Sequence, residues 1–593
     1  MKNHNPHIDE FLTFFSQSER STGGTRGYDP KTYVETKLDA NLTPAIFDSK
    51  TKLVILSGNA GDGKTAYIQR VEERAKVEGA QSFRQTDNGS SFTLNGVTFH
   101  TLYDGSQDFQ GTNNDDVLAG FFKEFEGDKP PTGLFTKVIA VNEGKLRDFI
   151  LSKREYKWLG KQVHHYLSYE NFIPHDSLIF VNLNSRSVVE PEDSSDSILD
   201  KLLDRLIDID NEGGFWMHCA PENCAFAERC YIKYNVDSLR DPKKGPIIRQ
   251  RLKRLILAVH FRKTRHITMR DLRSILSFVL FNKFTCQQLQ GDLGAGAPVL
   301  QRFYYNAIFD GQENDRIAQL LSQLDVGAVG NPKLDNFINF RNPEDSESLG
   351  LYIQPERVTP ADLPHLVFVF KNRPEGTLDT DPTRHENARA YHASVRRKLY
   401  FEGDEAKLRA RGLPRWKELL PYRQFDRFME FIITKADPQG LLRNQLTLAV
   451  SKSERIYNET VGRESLCLRS GGSRRVQTKA FYAFPATDFQ LAVEEVGKKA
   501  AYIEYLSNCI YYRPHDKIAA LEIPLDLFEV LCRIQEGYIP TASEIRTFFL
   551  NLDMFKRRLA CRPSERIILT DDTTLYEIKR TPDLKLAMSK LGG

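Results

Sequence analysis

Apolar and polar positions follow three rhythms along this chain, and each marks a different kind of element. Leu53 to Ser57 (LVILS), Lys137 to Gly144 (KVIAVNEG) and Ser177 to Ser185 (SLIFVNLNS) are short apolar runs that predict strands. Helical patterns separate them: AYIQRVEERAKVEGA follows Thr65, and the amphipathic DDVLAGFFKEF is broken by Pro130 and Pro131. Strict alternation around Asn95-Gly96 in FTLNGVTFHTLYD predicts a hairpin whose second arm ends at Asp104. Strands alternating with helices predict a parallel sheet with helices on both faces, and such sheets bind ligands at the carboxyl ends of their strands. The polar residues at those ends are Asp104, Asn142, Glu143, Asn182 and Asn184.

The first of these strands leads into the most specific feature, LVILSGNAGDGKT over Leu53 to Thr65. Gly58, Asn59, Ala60, Gly61, Asp62, Gly63, Lys64 and Thr65 form a complete G-x-x-x-x-G-K-T signature with a strand before and a helix after. A phosphate must approach backbone closely, so glycines replace side chains, and N–H groups and the positive end of the next helix face the anion. Lys64 is expected to reach the β- and γ-phosphates and the Thr65 hydroxyl to ligate Mg²⁺. ATP and Mg²⁺ are the expected cofactors. The fold expected is an α/β P-loop NTPase of the AAA+/STAND-like kind.

With 593 residues the chain exceeds a single core. Residues 1–48 read as a helical lead-in packed on the nucleotide domain, with IDEFLTFFSQSE, a Ser/Thr/Gly stretch at Ser21 to Gly27, and PKTYVETKLDANLTPAIF. Residues 49–235 hold the P-loop domain with a Cys-rich insert, FWMHCAPENCAFAERC, and 236–345 form a helical lid from IIRQRLKRLILAVHF and MRDLRSILSFVLF. Residues 346–593 mix helices with the strand-like runs HLVFVF, SLCLR, RIILT and TLYEI.

Around the nucleotide, Glu143 occupies the position of a glutamate that polarises attacking water, while Asn142 stands where an aspartate is usual. Asn142 can hydrogen-bond a metal-bound water but adds no charge, so Asp104 is the candidate to supply the missing carboxylate to Mg²⁺. Asn182 or Asn184 would sense the γ-phosphate, or simply cap the next loop. Arg270, at the start of RDLRSILSFVL, is a lid arginine whose charge would be paired only when the γ-phosphate is present.

The net charge of +3 carries no basic signature, so any nucleic-acid contact must come from local clusters. Arg240 to Arg273 is one, with Asp241 and Asp271 its only acids. A solvated helix face, a nucleic-acid surface and γ-phosphate arginines all fit it. Arg389 to Lys398 and Arg469 to Arg475 are further candidates for backbone contacts to DNA or RNA. Cys219, Cys224 and Cys230, with His218 adjacent, offer ligands for a structural Zn²⁺, though their spacing is looser than the usual paired cysteines; buried free thiols are the alternative. Scattered cysteines, no charged-then-apolar leader and no apolar run of about 20 residues predict a cytoplasmic protein without a membrane partner.

On GNAGDGKT, VIAVNEGKLRDF, CAPENCAFAERCYIKYN and IPLDLFEVLCRIQEGYIPTASE the chain resembles the DptF-type restriction ATPases of phosphorothioation-dependent bacterial DNA defence. The resemblance implies an ATPase subunit that works with other defence proteins and DNA. Two functions are expected from these readings: a Mg-dependent ATPase coupled to DNA or partner engagement, or a nucleotide-gated switch with weak hydrolysis that controls a separate effector. Arginines acting in trans would require a homo-oligomer.

Overall fold

The computed structural model describes residues 4–19, 32–108, 111, 113–168, 173–191, 194, 196–207, 216–262, 266–296, 299–311, 315–351, 360–454, 456, 458–469, 478–494, 500–571 and 574–591. Its packing forms two units. One comprises Met1–Val259, His266–Pro421 and Val496–Leu506; the other comprises His260–Arg265, Tyr422–Glu495 and Ser507–Gly593.

Six strands build the sheet of the first unit: β1 (Leu53–Ser57), β2 (Gln81–Thr86), β3 (Gly89–Leu94), β4 (Val97–Leu102), β5 (Phe135–Val141) and β6 (Leu178–Asn182). Their order is β2-β3-β4-β5-β1-β6. β4, β5, β1 and β6 run parallel, with Ser57 in register with Val141 on one side and Asn182 on the other. β2 and β3 pair antiparallel, so the sheet is mixed rather than wholly parallel. The hairpin is the cause: Asn95 and Gly96 take φ of 49° and 78°, the tight turn that reverses β3 into β4. β2 left no signal in the sequence because nearly all its side chains are exposed and nothing in it alternates.

Both faces of the sheet are buried, and the period of two along β1 divides them. Leu53 and Ile55 pack with Leu118 and Phe122 of α3 (Asn114–Phe122), Leu146 and Phe149 of α4 (Glu143–Ser152), and Leu159 and Val163 of α5 (Lys157–Ser168). Val54 and Leu56 face the other way, onto Tyr67, Ile68 and Val71 of α2 (Lys64–Val77), with Leu38, Leu42 and Ile46 beyond. Each such side chain contributes roughly 1.5–3 kcal/mol by leaving water. Ile503 joins this second core, and the Glu504 carboxylate accepts the Lys37 N–H at 2.8 Å.

The lead-in divides between two sites. Residues 38–46 pack on the sheet, but Phe11 of α1 (Pro6–Glu19) stacks on Phe281 at 4.8 Å, away from it. Phe281 ends the helix Met269–Phe281, whose start is fixed by a capping box between Thr268 and Asp271. HLVFVF, expected as strand-like, lies in the helix Leu363–Lys371, with Leu366 and Val369 buried one turn apart. SLCLR, RIILT and TLYEI do fall in strands, all in one antiparallel sheet of the second unit.

The basic stretch is not a solvated face. Lys253 pairs with Asp200 at 2.7 Å, and Arg254 lies over the Trp416 ring. Arg251 donates to the carbonyls of Tyr400 and Gly403 at 2.8 Å, closing the C-terminus of the helix Pro382–Glu402. Lys253, Arg254 and Arg251 are all nearly inaccessible to solvent. In the second stretch Arg396 pairs with Asp335, Arg397 with Asp325 and Lys398 with Asp362. The charges read as DNA contacts in these two stretches are thus largely directed at partners within the chain. Of Arg469 to Arg475, only Arg469 lies among the described residues.

Candidate functional site at the end of β1

β1 ends at Ser57 and the chain turns through Gly58–Gly63 into α2. Gly63 makes the last turn with φ of 84°, a left-handed conformation that leaves it as the N-cap of α2. Gly61, at φ of 98°, also permits a close approach: a Cβ there would lie 2.9 Å from the Arg270 Cβ. The Arg270 N–H donates to the Gly61 carbonyl at 3.0 Å, so the start of the helix Met269–Phe281 rests directly on the loop.

Inside the loop Asp62 is fully buried and braced on three sides. Its carboxylate accepts the Asn59 N–H at 2.6 Å and stands 2.9 Å from the His266 Nε2, while its carbonyl accepts the Arg186 guanidinium at 2.5 Å. Asn184 Oδ1 accepts the Asn59 N–H at 3.0 Å. Arg186 and His266 were not marked by the sequence reading. Arg186 follows the β6 strand end by a few residues, and a lone cation there was the available signal.

Lys64 Nζ folds back onto the carbonyls of Gly58 and Asn59, at 2.8 and 2.7 Å. Its proton affinity lies below that of an ordinary lysine. Burial is the main cause and Arg186 and Arg270 add to it, against the pull of Asp62 and Asp104. Among the described residues the Arg270 guanidinium has no hydrogen-bond or ion-pair partner. The loop therefore has three cations near it, one of them unpaired, and its nearest carboxylate already committed.

The Thr65 hydroxyl donates to the Tyr103 carbonyl at 3.2 Å, one residue before Asp104. Asp104 is held from both sides: its N–H donates to Asn88 Oδ1 and its carbonyl accepts Asn88 Nδ2, each at 2.9 Å. Asn142 caps α4 by accepting the Gly144 N–H at 2.9 Å, and its own N–H donates to the Ser106 hydroxyl at 2.7 Å. Glu143, in the first turn of α4, accepts a hydrogen bond from Asn182 at 3.1 Å, and Asn182 Oδ1 accepts the Asn184 N–H at 3.0 Å. The strand ends thus carry Lys64, Thr65, Asp104, Asn142, Glu143 and Asn182 on neighbouring strands of one sheet edge, with Arg270 over the loop. Although β5 is the strand that lies between β4 and β1, it is the end of β4 that the Thr65 hydroxyl touches.

Cys219, Cys224 and Cys230 lie elsewhere in the unit, around a separate cavity. As the side chains stand, no three His, Cys, Asp or Glu residues among the described ones are arranged to hold a metal ion. Comparison of the chain with family models, with curated proteins and with solved structures found no match.

Proposed function

We propose that this chain is a P-loop NTPase of the AAA+/STAND-like kind that binds ATP with Mg²⁺ at Gly58–Thr65 and hydrolyses it. The observation that carries this reading is the gathering of Lys64, Arg186 and Arg270 around a glycine loop at the carboxyl end of a central parallel strand. Such a loop presents N–H groups and surplus positive charge to an anion, and phosphate is the anion that fits both.

In this reading Lys64 exchanges the carbonyls of Gly58 and Asn59 for phosphate oxygens. Thr65 and Asp104 hold Mg²⁺, which would neutralise charge on the phosphates. Asn142 contributes a neutral acceptor beside them. Glu143 is the group to polarise water once Asn182 releases it, and Arg270 reports the γ-phosphate to the helix that it opens. The resemblance to DptF-type ATPases supports a place in bacterial anti-phage restriction, working with other defence proteins and DNA.

A nucleotide-gated switch with weak hydrolysis is the second reading, and specific observations favour it. Asn142 brings no charge to the site, and the Glu143 carboxylate is already bonded to Asn182. Ion pairs and burial that commit Arg251, Lys253, Arg254, Arg396 and Lys398 within the chain also weaken the argument for DNA-driven turnover.

Steady-state ATP hydrolysis by the purified chain, without DNA and with duplex or single-stranded DNA at two salt concentrations, separates these readings. Stimulation that fades with salt supports the DNA-coupled ATPase. Tight ATP binding with negligible turnover supports the switch. Absence of ATP binding overturns both.

A further inference from the structure

Four cysteines from two stretches of the first unit line one small cavity of about 20 Å³, Cys219, Cys224 and Cys230 of the Cys-rich insert and Cys286, with His4 and His218 also in the lining. Cys286 stands far from the other three in sequence, as the first residue of the helix Cys286–Gly294. No disulfide joins any of the four. Cys219, Cys230 and Cys286 are 8%, 9% and 8% exposed.

Apolar packing explains one buried thiol, or two. It does not account for four around one cavity, one of them brought in from a stretch distant in sequence. Two local features suit ligating sulfurs. Cys230 is the N-cap of the helix Tyr231–Arg240 and Cys286 opens its own helix, so both sulfurs sit near positive helix ends. The Asn5 side-chain amide donates to the Cys219 sulfur at 3.4 Å, the kind of outer hydrogen bond that orients a ligating sulfur.

We propose that Cys219, Cys224, Cys230 and Cys286 together form a four-thiolate site for Zn²⁺. Soft thiolates select this ion, and a closed set of four marks a structural site. Binding requires the four sulfurs to turn inward from the positions they hold, and each thiol gives its proton to solvent as its bond to zinc forms, four protons for each ion. The completed site would fasten the Cys-rich insert to the helix Cys286–Gly294, with Asn5 of the N-terminal segment against it. A peroxide-sensing role fits less well, because three of the four thiols are buried away from solvent.

Elemental analysis of the full chain, purified without chelator, tests this directly, together with Co²⁺ substitution read by absorption. The expected result is about one zinc per chain, and thiolate-to-cobalt charge-transfer bands with the d–d bands of a tetrahedral centre. Cys286→Ser should weaken zinc retention against a competing chelator by at least about tenfold. Cys561→Ser, at an exposed cysteine of the other unit, should leave it unchanged. Folded wild-type chain with zinc at background level and no cobalt–thiolate bands would overturn the proposal. So would Cys286→Ser retaining zinc as the wild type does. Neither result depends on whether the glycine loop binds ATP.

Discussion

Asn182 donates its side-chain amide to the Glu143 carboxylate at 3.1 Å, joining the ends of β6 and β5 on either side of the strand that carries the glycine loop. A carboxylate so held is positioned and restrained at once. If Glu143 polarises water, Glu143→Gln should retain ATP binding and slow hydrolysis by about 10²–10⁴-fold, the usual contribution of a general base. Asn182→Ala should leave ATP affinity intact and alter turnover alone. Single-turnover hydrolysis with equilibrium binding on both variants checks this. Normal turnover in Glu143→Gln would move the role to Asp104, the acid beside the residue that Thr65 touches.

Lys64 has only loop carbonyls as hydrogen-bond partners, so removing its ammonium should cost little stability and much affinity. For Lys64→Ala we expect ATP affinity to fall by at least about 10²-fold, as for loss of one preorganised charged donor, with an unchanged unfolding midpoint. Titration with ATP and thermal unfolding of the same preparation give both numbers. Undiminished affinity would remove the nucleotide reading.

How much of this site the sequence disclosed depended on how far apart the partners lie. The loop, the Asn95-Gly96 hairpin and the strand ends were legible because each is encoded within a few residues. The assignment of roles was less so. Strand order alone reveals that β5 intervenes between Asp104 and the loop, and no local pattern states strand order. The arginines and lysines of the helix Lys244–Phe261 fitted a solvated face, a nucleic-acid surface or γ-phosphate contacts, because their partners, such as Asp200, Trp416 and the carbonyls at the end of the helix Pro382–Glu402, are distant in sequence. HLVFVF misled for a different reason, since a short apolar run has no period with which to tell strand from helix. Cys286 went unnoticed because nothing near it suggests a ligand.

Arg251 distinguishes those readings of the basic stretch. A solvated arginine replaced by alanine changes stability by no more than about 0.5 kcal/mol. Arg251 instead donates to carbonyls that end a helix, and its removal takes that buried donor from them. For Arg251→Ala we expect a loss of about 2–3 kcal/mol and no change in the salt dependence of any DNA binding. Urea denaturation beside DNA titration decides it. A variant of wild-type stability with weakened DNA binding would restore the nucleic-acid surface.

Glu402 supplies a dependence on acid. It is wholly buried among Lys244, Lys398, Tyr234 and Tyr304, with Lys244 Nζ at 2.8 Å and Tyr304 donating at 2.7 Å. Burial by itself would raise its carboxyl, but Lys244 and Lys398 outweigh burial and bring it from the ordinary 4.5 down to about 2. A carboxyl depressed on folding adds stability that is complete above the unfolded value and disappears as pH falls from about 4.5 toward 2. The shift corresponds to something on the order of 3 kcal/mol. Lys398 behaves oppositely. Burial lowers its proton affinity, yet Asp362 and Glu402 raise it above the usual lysine value, so its contribution is present at neutral pH and is lost only as alkaline pH passes through the raised value. Glu402→Gln should therefore lower stability at neutral pH by about 3–5 kcal/mol, the cost of leaving a buried cation unpaired, and should flatten the acid limb of the stability curve. Urea midpoints of wild type and variant between pH 3 and 8 test both, taking the range from the span of carboxyl titration. If the variant loses stability with acid as steeply as the wild type does, the acid sensitivity arises elsewhere in the chain.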